Sequence, residues 1–431
     1  LKRSQVDIDE RQDFILKLQK LAAGHEHYCC LDSNSQAAYT YPDEMRFDHV
    51  IAFESIDFIQ PKSDAFAVLK EYRNKHSDWL FGHFSYDLKN EVEKLSSGNP
   101  SFSGFPELFF FRPKWLFICE GGKWRAEVFE EHLPELDQLL RDIESVDITS
   151  KKFPNVDFEP QITHAQYIKR VMSLKHHIQI GDIYEANFCQ NFVSPNTEID
   201  LASIFQRLQK ISPTPFAALY GASGQHLICA SPERFIAKRG STLTSQPIKG
   251  TAKRGSDRDE DEKIKEVLRS DPKEQSENVM IVDLVRNDLS RTAQKGTVRV
   301  DELFGVYSFE TVHQLISTVK SELRDDVDFV DALKLAFPMG SMTGAPKVKA
   351  MQLIEEHESF KRGLYSGSVG YFDPKGNADF NVVIRSILYN APEKTVSFAV
   401  GGAITSLCDP EKEYEESLLK AQGMIKALKN A

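Results

Sequence analysis

"QHLICASPERFIAKRGSTLTSQPIKGT" (Gln225–Thr251) is the stretch whose reading decides the fold class. It reads as two strands turning at Arg239-Gly240. Strands here mostly neighbour strands, with helices interleaved, which favours an α+β layered fold over a doubly wound one. The stretch runs into "SQPIKGTAKRG" (Ser245–Gly255), where Lys249 stands between the apolar pair Pro247-Ile248 and Gly250. A solvated lysine is the simplest account of it. A strand that delivers one cation into a turn also raises a chemical question.

Upstream, residues 1 to about 150 read as short strands with a few helices. "WLFICEGGKWRAEVF" (Trp115–Phe129) is a hairpin turning at Gly121-Gly122. "DAFAVLKEYRNKH" (Asp64–His76) is a helix with Asp64 near its start. "IESVDITSKKFPNVDFEPQIT" is polar, carries two prolines and reads as a connector. From "HAQYIKRVMSLKHHIQIGDIYEANF" onward helices alternate with strands. "SDRDEDEKIKEVLRSDPKE" is dense in charge and reads as a solvated helix. "SENVMIVDLVRNDLSR" is apolar on nearly every face, as in a buried helix.

The 431 residues allow one large or two ordinary domains. A net charge of −11 argues against a sequence-independent grip on nucleic acid. No apolar run reaches membrane-spanning length. "LKRSQVDIDERQDF" is charged and lacks the apolar region of a signal peptide. The six cysteines form no C-x-x-C spacing, which fits reduced thiols and a cytoplasmic location.

Three further stretches can carry chemistry. In "MGSMTGAPKVKAMQLIEEHE" (Met339–Glu358), Pro346 suits a first helical turn, and Val348, Met351 and Ile354 recur at helical spacing. Gly340 and Gly344 allow close backbone approach, and a helix start favours a carboxylate or phosphate. An ordinary glycine-rich start to a helix satisfies the same residues. The phosphate-loop pattern is not met, because G-x-x-x-G-A-P-K replaces G-x-x-x-x-G-K-[ST]. Glu274 and Glu277 share a helix face, as do Glu413 and Glu416. Two helices each offering a glutamate suit Mg²⁺, although Glu416 and Lys420 also form a surface i,i+4 pair. In "DFNVVIRSILY", read as one strand, Arg385 shares a face with Val383 and needs a carboxylate partner from protein or ligand. Tyr365 lies beside three glycines in "RGLYSGSVGYFD", where backbone can approach a ligand. A structural ion pair with packing accounts for Tyr365 and Arg385 equally well. Together these pieces describe a pocket for a dianionic small molecule.

"GDIYEANF", "SPERF", "PIKGTAKRG", "VDLVRNDLSR", "GSMTGAPKVKAMQLI", "RGLYSGSVGYFD", "NVVIRS" and "DPEKEYEES", in this order between Gly181 and Gly423, closely resemble the chorismate-utilising enzymes. Within that family they resemble the aminodeoxychorismate-forming component I branch of para-aminobenzoate and folate synthesis. "LFGHFSYDL" and "FPELFFFRP" resemble it more weakly. The resemblance implies two packed antiparallel β-sheets with flanking helices. Residues 1–150 would be an N-terminal region like that of anthranilate synthase component I, and 160–428 the chorismate-binding catalytic region, joined in one compact unit. Glu277 and Glu416 match metal ligands for Mg²⁺, and Glu274 and Glu413 match acids near metal-bound water. Tyr365 and Arg385 match binders of substrate carboxylate. Ser341, Thr251 and Ala403 match further substrate-binding positions, with alanine at 403 where glycine is usual. Lys249 matches a nucleophile that adds at C2 and expels the C4 hydroxyl before ammonia enters at C4. That lysine must be neutral when it attacks, so its pKa is expected to be lowered. Glu233 matches the acid that protonates the departing hydroxyl.

Two departures stand out. Glu185 in "GDIYEANF" occupies a position that is usually glutamine, and lysine in the water-adding relatives. In "TVHQLIST", Gln314 replaces the histidine of anthranilate-type elimination, and the neighbouring His313 points to the opposite strand face. The rival reading of anthranilate synthase component I is weakened by Gln314 and by Lys249, since anthranilate-forming relatives read P-I-A-G-T. A reading from another class is a non-catalytic subunit that binds chorismate or an aromatic amino acid, and the pair Glu277 and Glu416 argues against it. None of the cysteines sits in a G-x-C-x-G turn, so a separate glutaminase is the expected source of ammonia. "IAFESIDF" (Ile51–Phe58) reads either as a vestigial amino-acid pocket or as a plain edge strand turning at Glu54-Ser55.

Overall fold

The computed structural model describes residues 2–34, 47–149, 156–310 and 312–429. Among them, twenty strands join in one antiparallel hydrogen-bonded network, accompanied by eleven α-helices. The network branches at the long strand Leu108–Glu120. Its Leu108–Phe111 end pairs with Leu80–Phe84 on one side, and Phe110–Cys119 pair with His49–Ile59 on the other. From His49–Ile59 the first arm runs through Tyr28–Asp32, Phe216–Ala222, Gln225–Ser231, Ser386–Asn390 and Thr395–Ile404 to Glu185–Ser194. From Leu80–Phe84 the second arm runs through Ser368–Phe372, Ala378–Asn381, Arg234–Arg239, Thr242–Gln246 and Val312–Glu322 to Ile248–Lys253. The two sheets of this α+β fold therefore share one strand.

The two-residue period of a strand decides what lies between the arms. Cys29, Ala218 and Tyr220 of the first arm join Phe81, Phe84, Val369 and Phe380 of the second in one buried apolar cluster. Their alternate neighbours Tyr28, Cys30, Ala217 and Leu219 face the other way. There they pack with Phe14, Leu136, Phe205 and Met424 from four flanking helices. All six cysteines are buried and free. No helix among the described residues is long and apolar enough to cross a membrane.

Most local expectations hold, and several need correction. The Trp115–Phe129 hairpin turns at Gly121 and Gly122, both at positive φ, as a primed turn requires. The helix Ala65–Lys75 follows Asp64, but its first N–H is accepted by Glu91 rather than by the Asp64 side chain. The helix Pro272–Ser290 is not buried all round: Ile281, Val282, Val285 and Leu289 pack inward while Val279 is exposed. In the helix Lys347–His357, Met351 and Ile354 are buried but Val348 is exposed, because the buried stripe runs through Ala350 and Leu353 instead. Residues 150–155 of the connector lie outside the described residues, and its first three residues end the helix Leu133–Ser145. Ile51–Phe53 have neighbours on both sides, so the edge-strand reading fails there. Ser55–Phe58 pair on one side only, and the register shift between Ser55 and Asp57, just after Glu54 at φ 57°, marks a bulge in a continuous strand rather than a turn.

Candidate active site

The ends of the two arms meet at Lys249. Its strand pairs with Val312–Glu322 at Ile248↔Ile316 and then at Thr251↔Gln314, so three steps on one strand face two on the other. This bulge re-aims the side chains between them. Gly250 takes φ 93°, a conformation disfavoured for other residues. Lys249 Nζ thereby reaches the other arm and donates to Glu185 Oε1 at 2.8 Å. Glu185 is buried and Lys249 largely so, and Glu185 Oε2 has no hydrogen-bond partner. The short turn Gly344-Ala345 pairs with Ala186 and Glu185, tying the "GSMTGAP" segment to the same place.

The expected lowering of the Lys249 pKa is not what this arrangement produces. Burial pushes the pKa down, but the carboxylates of Glu185, Glu277 and Glu233 together push it further up. Lys249 rests as an ammonium in a nest of acids.

Glu233 lies on the approach to Arg234–Arg239 and is fully enclosed. Burial raises its pKa to about 7, against the opposing pull of the Ser341 hydroxyl, Lys249, the Ile248 N–H and Arg385. Beside it a cavity of about 20 Å³, room for one water, is lined by Glu233, Ser341, Pro247 and Asp288. The strand expected to carry Arg385 is broken. It runs Ala378–Asn381 and resumes at Ser386–Asn390, and Arg385 itself sits at φ 50°. The kink takes Arg385 out of the ladder. Its guanidinium makes no hydrogen bond or ion pair to the described residues, and burial holds its pKa below the usual value despite the opposing field of Glu233. A half-buried arginine without a protein partner is suited to a ligand carboxylate.

Tyr365 is buried with its hydroxyl 3.6 Å from Cys189 Sγ. Ala403 pairs with Asn187 and does not occupy the left-handed region, so alanine is accommodated where only the backbone is needed. Thr251 is exposed. It lines a cleft of about 320 Å³ with Lys263, Leu268 and Glu274, and is not gathered around Glu233.

The four remaining glutamates come from two helix starts, Pro272–Ser290 and Pro410–Leu428. Burial lifts Glu277 to about 7 and raises Glu274 and Glu413. Glu416 shifts the other way because Lys420 donates to it, overcoming its burial; the pair is 2.8 Å apart, as the i,i+4 reading anticipated. A Cβ on Gly250 would lie 3.0 Å from Glu274 Oε2, and one on Gly402 would lie 3.2 Å from Glu413 Oε2. These glycines let the backbone approach both acids closely. Among the described residues no three His, Cys, Asp or Glu side chains converge at metal-ligand spacing. Mg²⁺ asks less than that: one or two carboxylates, with water and substrate oxygens completing its shell. The oxygen-only donor set and the cleft beside Glu274 fit such an ion.

Sequence reasoning missed three features. Glu185 was noted only as a departure, yet it is the hydrogen-bond partner of Lys249. Lys273 was not singled out, although it feels all four glutamates. Arg362 is a buried hub: it bonds Glu358 Oε1 at 2.6 Å and donates to the carbonyls of Met342 and Asn187 at 2.7 Å each. It fixes the Ser341 turn against the Glu185 strand, four residues after an acid at helical spacing. His313 lies elsewhere, bonded to Asp261 at 2.8 Å and Ser308 at 2.9 Å.

A branched pair of antiparallel sheets with a lysine, an enclosed acid and an unpartnered arginine at their junction defines a site for a small polyanion. The chain belongs to the chorismate binding enzyme family, whose model matches residues 26–426. It is similar to the anthranilate synthase component I-like protein of Synechocystis, at 36% identity over 84% of this chain and 74% of that one. It is also similar to aminodeoxychorismate synthase component 1 of Bacillus subtilis, at 29% identity over 97% and 95%. Among solved structures, anthranilate synthase component I from Streptococcus pneumoniae superposes with a TM-score of 0.79 at 25% identity, covering 91% of this chain and 94% of that one.

Proposed function

We propose that the chain is an aminodeoxychorismate synthase component I: it converts chorismate and ammonia to 4-amino-4-deoxychorismate, for para-aminobenzoate and folate synthesis, in the cytoplasm. The observation that carries the reading is Lys249, held in a closed acidic site with Glu233 nearby at a pKa of about 7. Arg385 and Tyr365 would take a substrate carboxylate, with Ser341 and the Ala403 backbone against the ring substituents. Glu277 and Glu416 would hold Mg²⁺, with Glu274 and Glu413 on its water. Bound there, Mg²⁺ would neutralise the ring carboxylate, ease departure of the hydroxyl and cancel the Glu277 field on Lys249.

The chemistry balances on this chain's own groups. Lys249 passes one proton to the Glu185 carboxylate bonded to it, which returns it when the lysine is released, and the freed lone pair forms the bond to C2. The ring double bond shifts and the C4–O bond breaks. Glu233, protonated near neutral pH, gives its proton to the departing oxygen, which leaves as water. Ammonia then bonds to C4, the C2–N bond breaks, and Lys249 is released. Glu233, now a carboxylate, takes the surplus proton from the new amine. Ammonia would come from a separate glutaminase.

The test is product identity. The purified chain is given chorismate, Mg²⁺ and ammonium, with and without aminodeoxychorismate lyase, and the aminobenzoates are separated by chromatography. Para-aminobenzoate formed only with lyase supports the reading. Ortho-aminobenzoate without lyase would support the anthranilate reading, which the names of several relatives favour.

A further inference from the structure

Lys273 occupies a position that helix physics does not favour. It is the second residue of the helix Pro272–Ser290, where the dipole disfavours a cation. The Asp271 side chain caps this end, accepting from the N–H groups of Lys273 and Glu274 at 2.8 and 3.2 Å. The side chain's one tie to its own helix is a loose i,i+4 ion pair with Glu277. What it does face is the acid cluster: its Nζ lies 3.8 Å from Glu277 Oε1, and the fields of Glu413, Glu274 and Glu416 reach it as well.

Three lysines stand around those acids, and two are tied. Lys249 is bonded to Glu185 at 2.8 Å. Lys420 is bonded to Glu416 at 2.8 Å and to the Gly401 carbonyl at 2.9 Å. Lys273 is the loose one among the described residues. Its nearest carboxylate oxygen, Glu277 Oε1, is 3.8 Å away, beyond hydrogen-bond range, and its side chain is 45% exposed. It balances charge without being locked in place.

We propose that Lys273 is a displaceable counter-cation: it neutralises the four-glutamate cluster while metal is absent and competes with the divalent ion for it. This deepens the proposed function and rests on its metal reading. Two cations facing one set of carboxylates repel each other, so the bound ion and the Lys273 ammonium are alternatives. The four-carbon stem and the half-exposed head let Lys273 swing toward solvent when the ion enters. The protein thereby avoids an unbalanced pile of buried carboxylates when empty, at the expense of affinity for the ion.

The experiment is calorimetric titration of the whole chain with MgCl₂, without chorismate, at low ionic strength. Wild type, Lys273→Met and Lys273→Arg are compared. Methionine keeps the length and a good helix propensity while removing the charge. A monovalent and a divalent cation about 6 Å apart in water repel enough to change binding about ten-fold. The expected result is Mg²⁺ binding about ten-fold tighter in Lys273→Met and close to wild type in Lys273→Arg. Without metal, Lys273→Met should melt below wild type, and saturating Mg²⁺ should close that gap. Equal or weaker binding by Lys273→Met, in a wild type that does bind Mg²⁺, overturns this inference alone. Failure of both proteins to bind Mg²⁺ overturns the metal reading, and the inference with it.

Discussion

Glu233→Gln separates the burial of Glu233 from its role as an acid. Burial lifts the Glu233 pKa from 4.5 to about 7. At 1.36 kcal/mol per pKa unit, that shift couples to about 3 kcal/mol of stability. Below pH 4.5 the carboxyl is protonated whether the chain is folded or not, so it contributes no pH-dependent difference. Between 4.5 and 7 the unfolded chain ionises and the folded one resists, so folding stability falls as pH rises. Above 7 both states are ionised and the folded chain carries the whole penalty of an enclosed charge. Glutamine has the same shape and never ionises. Urea unfolding of the two metal-free proteins across this pH range should therefore show wild type losing about 3 kcal/mol relative to Glu233→Gln by pH 8. Any constant offset between the two proteins does not matter. A difference that is flat with pH, or that grows in the wild type's favour, would refute the enclosed-acid assignment. Turnover should fall in the same variant by about 10²–10⁴-fold, the usual contribution of a positioned acid.

Lys249→Ala should abolish formation of 4-amino-4-deoxychorismate, followed by lyase-coupled chromatography, while chorismate still binds. Glu185→Gln removes the largest carboxylate field on Lys249, so the lysine pKa should drop; its labelling by an amine-selective acylating reagent at pH 8 should speed up. Arg385→Ala should raise KM for chorismate by about 30-fold or more, the loss of one half-buried ionic partner. Arg362→Met leaves Glu358 buried without its partner and frees the Ser341 turn, so unfolding should be easier by about 3–5 kcal/mol in a denaturant titration.

The motifs from "GDIYEANF" to "DPEKEYEES" pointed to the family because they bear residues whose type matters. A lysine between Ile248 and Gly250, an arginine in an apolar stretch and acids at helical spacing are each legible in one dimension. The α+β class was equally legible, since alternation such as that of Tyr28, Cys29 and Cys30 is a local property of strands. Three local readings failed where neighbours decide. Arg385 looked like a strand residue, but the chain bends there to φ 50°. The helix Pro272–Ser290 looked buried all round, and its packing partners cover only one side. The environment of Lys249 was expected to lower its pKa, and the acids brought up around it raise it.

The sequence by itself determined which chemical groups this chain owns and which segments are strands or helices, because side-chain type and short-range periodicity suffice for that. Only the tertiary structure decided that the two arms branching from Leu108–Glu120 close on each other at their far ends. That closure sets Lys249 against Glu185, which lies 64 residues away along the chain. It also buries Glu233 and leaves Arg385 without a protein partner. Charge states depend on burial and on distances between residues remote in sequence, and those follow from strand pairing, a long-range property that no local pattern encodes.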